Sequence, residues 1–132
     1  MGARLRVLLV EDDEDDAVLV MRELLSKGYD AEFIRIDSAE AMERALSTRE
    51  WDVVIADYTM PHFGAPAALA AMKAEGMDLP FLIVSGAHDE RNAVAAMEAG
   101  AHDYITKDNL TRLVPALERE LREAQERRER RR

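Results

Sequence analysis

An α/β fold built on a parallel sheet is predicted by two features of the chain. Short β-branched apolar runs alternate five times with longer segments of helical period, and in the middle runs above all the apolar residues run on rather than alternate. A strand covered by helices on both faces has no solvent side, so both sets of its side chains must be apolar. A length of 132 residues suits a single domain. The composition, 48% hydrophobic and 34% charged, suits a folded core under a solvated shell and argues against a disordered or membrane-spanning chain.

Strands are expected over residues 5–10, 31–36, 52–56, 80–84 and 102–105. Ala17, Val20, Met21 and Leu24 recur at helical spacing after the first strand and stop at Gly28. Asp37 with Glu40 reads as a capping box opening a second helix that carries Ala39, Met42 and Leu46. Pro66 fits the first turn of a third helix bearing Leu69 and Met72. Asp89 would cap a fourth, with Val94 and Met97 on its apolar side before Gly100. In the fifth, Leu113, Leu117, Leu121 and Ala124 form a stripe, while Pro115 leaves its start open. Glu118 with Arg122, Glu123 with Arg127 and Glu126 with Arg130 are spaced as i,i+4 pairs, so this helix is expected to run beyond the domain body. The organisation is therefore a domain over residues 1–117 and a charged extension over 118–132, read as a connector, a dimerising segment or a solvated tail, with the connector preferred.

The extension holds 7 Arg and 5 Glu, against 11 basic and 22 acidic residues before it. An acidic body repels phosphate backbones, which excludes direct nucleic-acid binding by the domain. Without cysteine there is no disulfide, thiolate metal site or thiol nucleophile. The first apolar run is too short for a signal peptide core or a spanning helix, and the expected location is the cytoplasm. No two glycines have G-x-G spacing, which removes a dinucleotide fingerprint.

In an open parallel sheet, function gathers at the carboxyl ends of the strands, where the strand order reverses. Glu11, Asp12 and Asp13 follow the first strand, Asp57 the third, Ser85 the fourth and Lys107 the fifth. Carboxylates crowded together repel, and a divalent cation resolves the crowding. The donors are all oxygens, which favours magnesium or manganese over zinc. An aspartate beside a hard cation, a lysine and a hydroxyl suits phosphoryl transfer to the carboxylate, with Asp57 as acceptor. Taken alone, the acidic run from Glu11 to Asp16 reads as a solvated helix start, and His62, His88 and His102 read as surface or loop residues.

Val-Glu-Asp-Asp at 10–13, Ala-Asp-Tyr-Thr-Met-Pro at 56–61, Ile-Val-Ser-Gly at 83–86 and Gly-Ala-His-Asp-Tyr-Ile-Thr-Lys at 100–107 together resemble the receiver domain of two-component response regulators, of the chemotaxis-regulator type. The similarity runs from about residue 5 to residue 117. It implies a flavodoxin-like (βα)5 fold with strand order 2-1-3-4-5. By the same resemblance, Asp57 accepts phosphate from a kinase histidine or a phosphotransfer domain. Glu11, Asp12, Asp57 and the Thr59 carbonyl hold magnesium, Ser85 and Lys107 contact the phosphoryl group, and Tyr104 acts as a switch aromatic. The resemblance further implies a signalling domain rather than an enzyme, serving an output domain or partner. Asp108 stands where the family usually has proline, Gly64-Ala65 where Asp-Gly is common, and Gly86 where alanine is usual. Two other readings are a phosphorylation-independent scaffold and an aspartyl-nucleophile phosphatase. The second is disfavoured by Thr59, which stands where such enzymes carry a second acid.

Overall fold

The computed structural model describes residues 2–58, 60–86 and 90–131. The chain alternates strands and helices in the order β1 (Arg4–Val10), α1 (Glu14–Ser26), β2 (Asp30–Ile36), α2 (Ala39–Thr48), β3 (Val53–Ala56), α3 (Ala65–Ala74), β4 (Phe81–Ser85), α4 (Glu90–Ala99) and β5 (Asp103–Thr106). A 3-10 segment (Lys107–Arg112) then leads into α5 (Leu113–Arg130). The five strands form one parallel sheet in the order β2-β1-β3-β4-β5, the doubly wound flavodoxin-like arrangement.

The continuous apolar strands are explained by two cores, one on each face of the sheet. Leu8, Val10, Val54, Ala56, Phe81 and Ile83 point to one face, where Met42 and Leu46 of α2 and Leu69 and Met72 of α3 cover them. Their neighbours Val7, Leu9, Val53, Ile55, Leu82 and Val84 point to the other, under Ala17, Val20 and Leu24 of α1 and Leu113 and Leu117 of α5. Alternation along each strand thus feeds both layers. Each fully buried Leu, Ile, Val or Phe contributes roughly 1.5 to 3 kcal/mol, which makes this two-sided burial the main stabilising term.

Local chemistry sets the helix ends. Asp13 caps α1, its Oδ1 accepting from the amides of Asp15 at 2.8 Å and Asp16 at 3.2 Å. The cap of α2 is Ser38, whose Oγ accepts from the Ala41 amide at 3.2 Å; this corrects the expected start at Asp37. Met42 and Leu46 are buried as expected, together with Ala45, whereas Ala39 is exposed. Pro66 lies in the first turn of α3, where a missing N–H costs nothing. The expected cap of α4, Asp89, lies outside the described residues.

The apolar side of α4 also differs from expectation. Val94 is 56% and Met97 44% exposed, whereas Ala96 is buried. The helix approaches the sheet through small residues, and Ala95, Ala96 and Ala99 line a 130 Å³ cavity against Leu69, Ile83 and Tyr58. Periodicity alone could not choose between a stripe of large residues and the adjacent stripe of alanines.

Pro115 sits in the first turn of α5, where its lack of an N–H is tolerated. The helix continues past residue 117, and Glu120 and Ala124 remain buried there. Among the described residues, none of the three expected i,i+4 pairs closes as an ion pair. Arg127 reaches Asp78 at 3.0 Å instead, and Arg131 bonds the same carboxylate. His102 does more than occupy a loop, because its Nδ1 accepts from the Phe81 amide at 2.9 Å and completes the start of β4. No described helix is long and apolar enough to cross a membrane.

Candidate functional site

Backbone pairing carries on one residue past the strands and sets the site. The Glu11 amide donates to the Ile36 carbonyl at 3.0 Å, and the Asp57 amide donates to the Val10 carbonyl at 2.9 Å. The ends of β1 and β3 are thereby locked side by side. Glu11, Asp12 and Asp57 offer carboxylate oxygens that all lie within 4.8 Å of one another. At that spacing the Glu11 and Asp57 charges repel by about 3.5 kcal/mol at an effective dielectric of 20.

Lys107, the first residue after β5, enters this cluster. Its ammonium donates to Asp16 Oδ2 at 2.7 Å, Glu11 Oε1 at 3.0 Å and Asp57 Oδ2 at 3.5 Å. Its side chain is 13% exposed, and those of Glu11 and Asp57 are 3% and 12% exposed. Burial pushes the Glu11 carboxyl up to about 7, the Asp57 charge adds to this, and the bond from Lys107 offsets part of it. Burial alone would lower the Lys107 pKa, but bonds to Asp16 and Glu11 and the charge of Asp57 outweigh it and raise it. The ammonium is therefore a fixed positive charge.

Ser85 is buried at the end of β4, the strand between those that deliver Asp57 and Lys107, and it pairs in register with Thr106. Tyr104 is half-buried, with its ring centroid 6.1 Å from that of Tyr58 at a 54° tilt. The loop after Asp57 is pinned by the Ala65 amide, which donates to the Asp57 carbonyl at 2.9 Å, and by buried Phe63. A Cβ on Gly64 would collide with the Tyr58 carbonyl oxygen, so a side chain there would force this loop open. No described peptide bond is cis, including Lys107–Asp108. Thr59, assigned a carbonyl role by resemblance, lies outside the described residues, as do Ala87 and His88.

Glu11, Asp12, Asp57 and Lys107 are thus brought together, with Ser85 on the intervening strand. Two residues escaped sequence reasoning. Asp16, read as part of a solvated acidic run, makes the shortest bond to Lys107. Its signal was positional: it is the third residue of a helix capped at Asp13, and helical side chains tilt back toward the N-terminus and here toward the strand ends. Arg35 of β2 donates to the carbonyls of Glu11 at 3.1 Å and Asp12 at 3.4 Å and so tethers the acidic loop to β2.

The donor set fits a hard divalent ion. It is all oxygen, and it contains a buried carboxylate whose charge lacks full compensation. A cavity of 680 Å³ lies at the other end of the sheet, lined by Arg6, Trp51 and Asp78 among others, and among the described residues it holds no such cluster.

A family model described as the response regulator receiver domain matches residues 7–118. The transcriptional regulatory protein PrrA of Mycobacterium leprae is 35% identical over 102 residues, covering 77% of this chain and 43% of PrrA. The DNA-binding transcriptional regulator NtrC of Rhizobium meliloti is 35% identical over 123 residues, covering 91% of this chain and 25% of NtrC. Among solved structures, NtrX of Brucella abortus superposes with a TM-score of 0.82 at 28% identity, covering 98% of this chain and 29% of NtrX. The chain spans less than half the length of each of these relatives.

Proposed function

Because the chain belongs to the response regulator receiver domain family, we propose that it accepts a phosphoryl group on Asp57 from a phosphohistidine donor and changes its surface in response. The donor is a histidine kinase or a phosphotransfer domain, working in the cytoplasm. The observation that carries this reading is the Lys107 ammonium 3.5 Å from Asp57 Oδ2, beside a carboxylate set suited to a divalent cation.

In the transfer, an Asp57 oxygen forms a P–O bond as the P–N bond of the donor breaks. The electron pair returns to the imidazole nitrogen, which takes its proton from water. Glu11, Asp12 and Asp57 would hold magnesium or manganese, with the Thr59 carbonyl as a further ligand. When bound, that ion neutralises charge on the phosphoryl oxygens. Lys107 supplies the second positive charge, and its fixed protonation makes it an electrostatic partner rather than a proton donor. Ser85 contacts the phosphoryl group, and Tyr104 reports the change through its packing against Tyr58. The domain acts as a phospho-acceptor, and an output domain or partner reads its altered surface, with residues 118–132 as a connector.

The test is incubation with acetyl phosphate and magnesium, followed by intact mass measurement. Wild type should gain the mass of one phosphoryl group, and an Asp57→Asn variant should gain none. Label that persists in the variant reassigns the acceptor. No label on wild type, with or without metal, leaves a phosphorylation-independent scaffold.

A further inference from the structure

The ammonium of Lys107 has three carboxylate partners, and two of them, Glu11 and Asp57, belong to the oxygen set suited to a divalent cation. Two cations would then draw on the same pair of carboxylates. Like charges that share ligands exclude each other unless one has a counterion of its own. Asp16 supplies that counterion. Its Oδ2 makes the shortest of the three contacts, at 2.7 Å, and Asp16 is absent from the cluster of mutually close oxygens.

The backbone at Asp16 is anchored. It sits in the first turn of α1, with its amide bonded to the Asp13 cap, and the next residue, Ala17, is buried under the sheet together with Val20 and Leu24. Lys107 is delivered by the end of β5, whose Ile105 is fully buried in the same core as Ala17, Val20 and Leu24. The Asp16–Lys107 bond therefore joins two well-anchored elements.

We propose that Asp16 is a positioning residue whose carboxylate holds the Lys107 ammonium to one side, leaving Glu11 and Asp57 available to a divalent cation. This rests on the phospho-acceptor reading for its purpose, though not for its geometry. When a cation takes oxygens of Glu11 and Asp57, Lys107 keeps Asp16 and stays beside the acceptor. Without Asp16, the largely buried ammonium falls back on Glu11 and Asp57 and competes with the cation for them.

A double-mutant cycle on the full chain tests this, with magnesium alone as the probe and calorimetric dissociation constants as the readout. Asp16→Ala should weaken magnesium binding about tenfold when Lys107 is present and less than about twofold in a Lys107→Ala background. Asp16→Asn, which keeps an oxygen acceptor without its charge, should fall between wild type and Asp16→Ala. Equal losses in both backgrounds would show that Asp16 acts only as a remote negative charge, and no loss in either would show that it does not act at all; both outcomes overturn the proposal. Acetyl phosphate labelling of wild type separates the two readings. Coupling without labelling leaves the positioning role standing and removes the phospho-acceptor, whereas labelling with additive magnesium losses does the reverse.

Discussion

Replacing Glu11 by glutamine removes one charge from a buried, crowded carboxylate set while keeping the shape of the side chain. Burial and the neighbouring Asp57 charge push the Glu11 carboxyl from 4.5 to about 7. The folded chain therefore binds this proton more tightly than the unfolded chain does. The stability it contributes is fully present below about pH 4.5 and is lost as the pH rises through about 7. Tenfold in proton affinity corresponds to about 1.4 kcal/mol, so ionised Glu11 costs on the order of 3 kcal/mol at about pH 8 in the absence of metal. Glu11→Gln should accordingly be more stable than wild type by about 3 kcal/mol there, near 10 °C in Tm for a chain of this size. The difference should close as the pH falls toward about 5. The assay is thermal unfolding followed by circular dichroism, with a chelator present, across that pH range. Excess magnesium should raise the Tm of wild type alone, because only wild type keeps the full donor set. A difference that does not vary with pH, or a variant less stable than wild type at alkaline pH, would sink the claim that Glu11 is held charged at a cost.

Three further outcomes follow from particular contacts. Magnesium must displace the Glu11 proton below about pH 7, so its calorimetric dissociation constant should rise by up to about tenfold for each pH unit below that point, and a flat profile would count against Glu11 as a ligand. Ser38→Ala should cost about 1 kcal/mol in urea unfolding and Asp37→Ala no more than about 0.5; equal costs would mean that Ser38 is not the cap of α2. Asp78→Ala should speed hydrogen exchange of the amides over residues 127–131 while changing global stability by less than about 1 kcal/mol, and unchanged exchange would mean that the two arginine contacts do not hold the end of α5.

The architecture was legible because each of its signals is local. Leu8 and Leu9 are adjacent and both apolar, which already places helices on both sides of β1, and the two cores confirm it. The motifs ending at Asp13, Pro61, Gly86 and Lys107 fall at strand ends, and parallel pairing brings strand ends together whatever the helices do. Periodicity and composition led to Val94 and Met97 as the apolar side of α4 and to Asp37 as the cap of α2, and both choices were wrong: Ala96 is buried instead, and Ser38 is the cap. Packing settled the face of α4, and the local bond from the Ala41 amide to Ser38 Oγ settled the cap of α2.

Residue order by itself determined the element types, the parallel sheet and which carboxylates and amine meet at its carboxyl edge, because these depend on period and on chain connectivity. Only the tertiary structure decided that Asp16 grips Lys107, that Arg35 supports the acidic loop and that Arg127 turns to Asp78 instead of Glu123. Those choices depend on distances between elements far apart in the chain, and a charged side chain takes the nearest opposite charge in space, whatever its spacing in sequence.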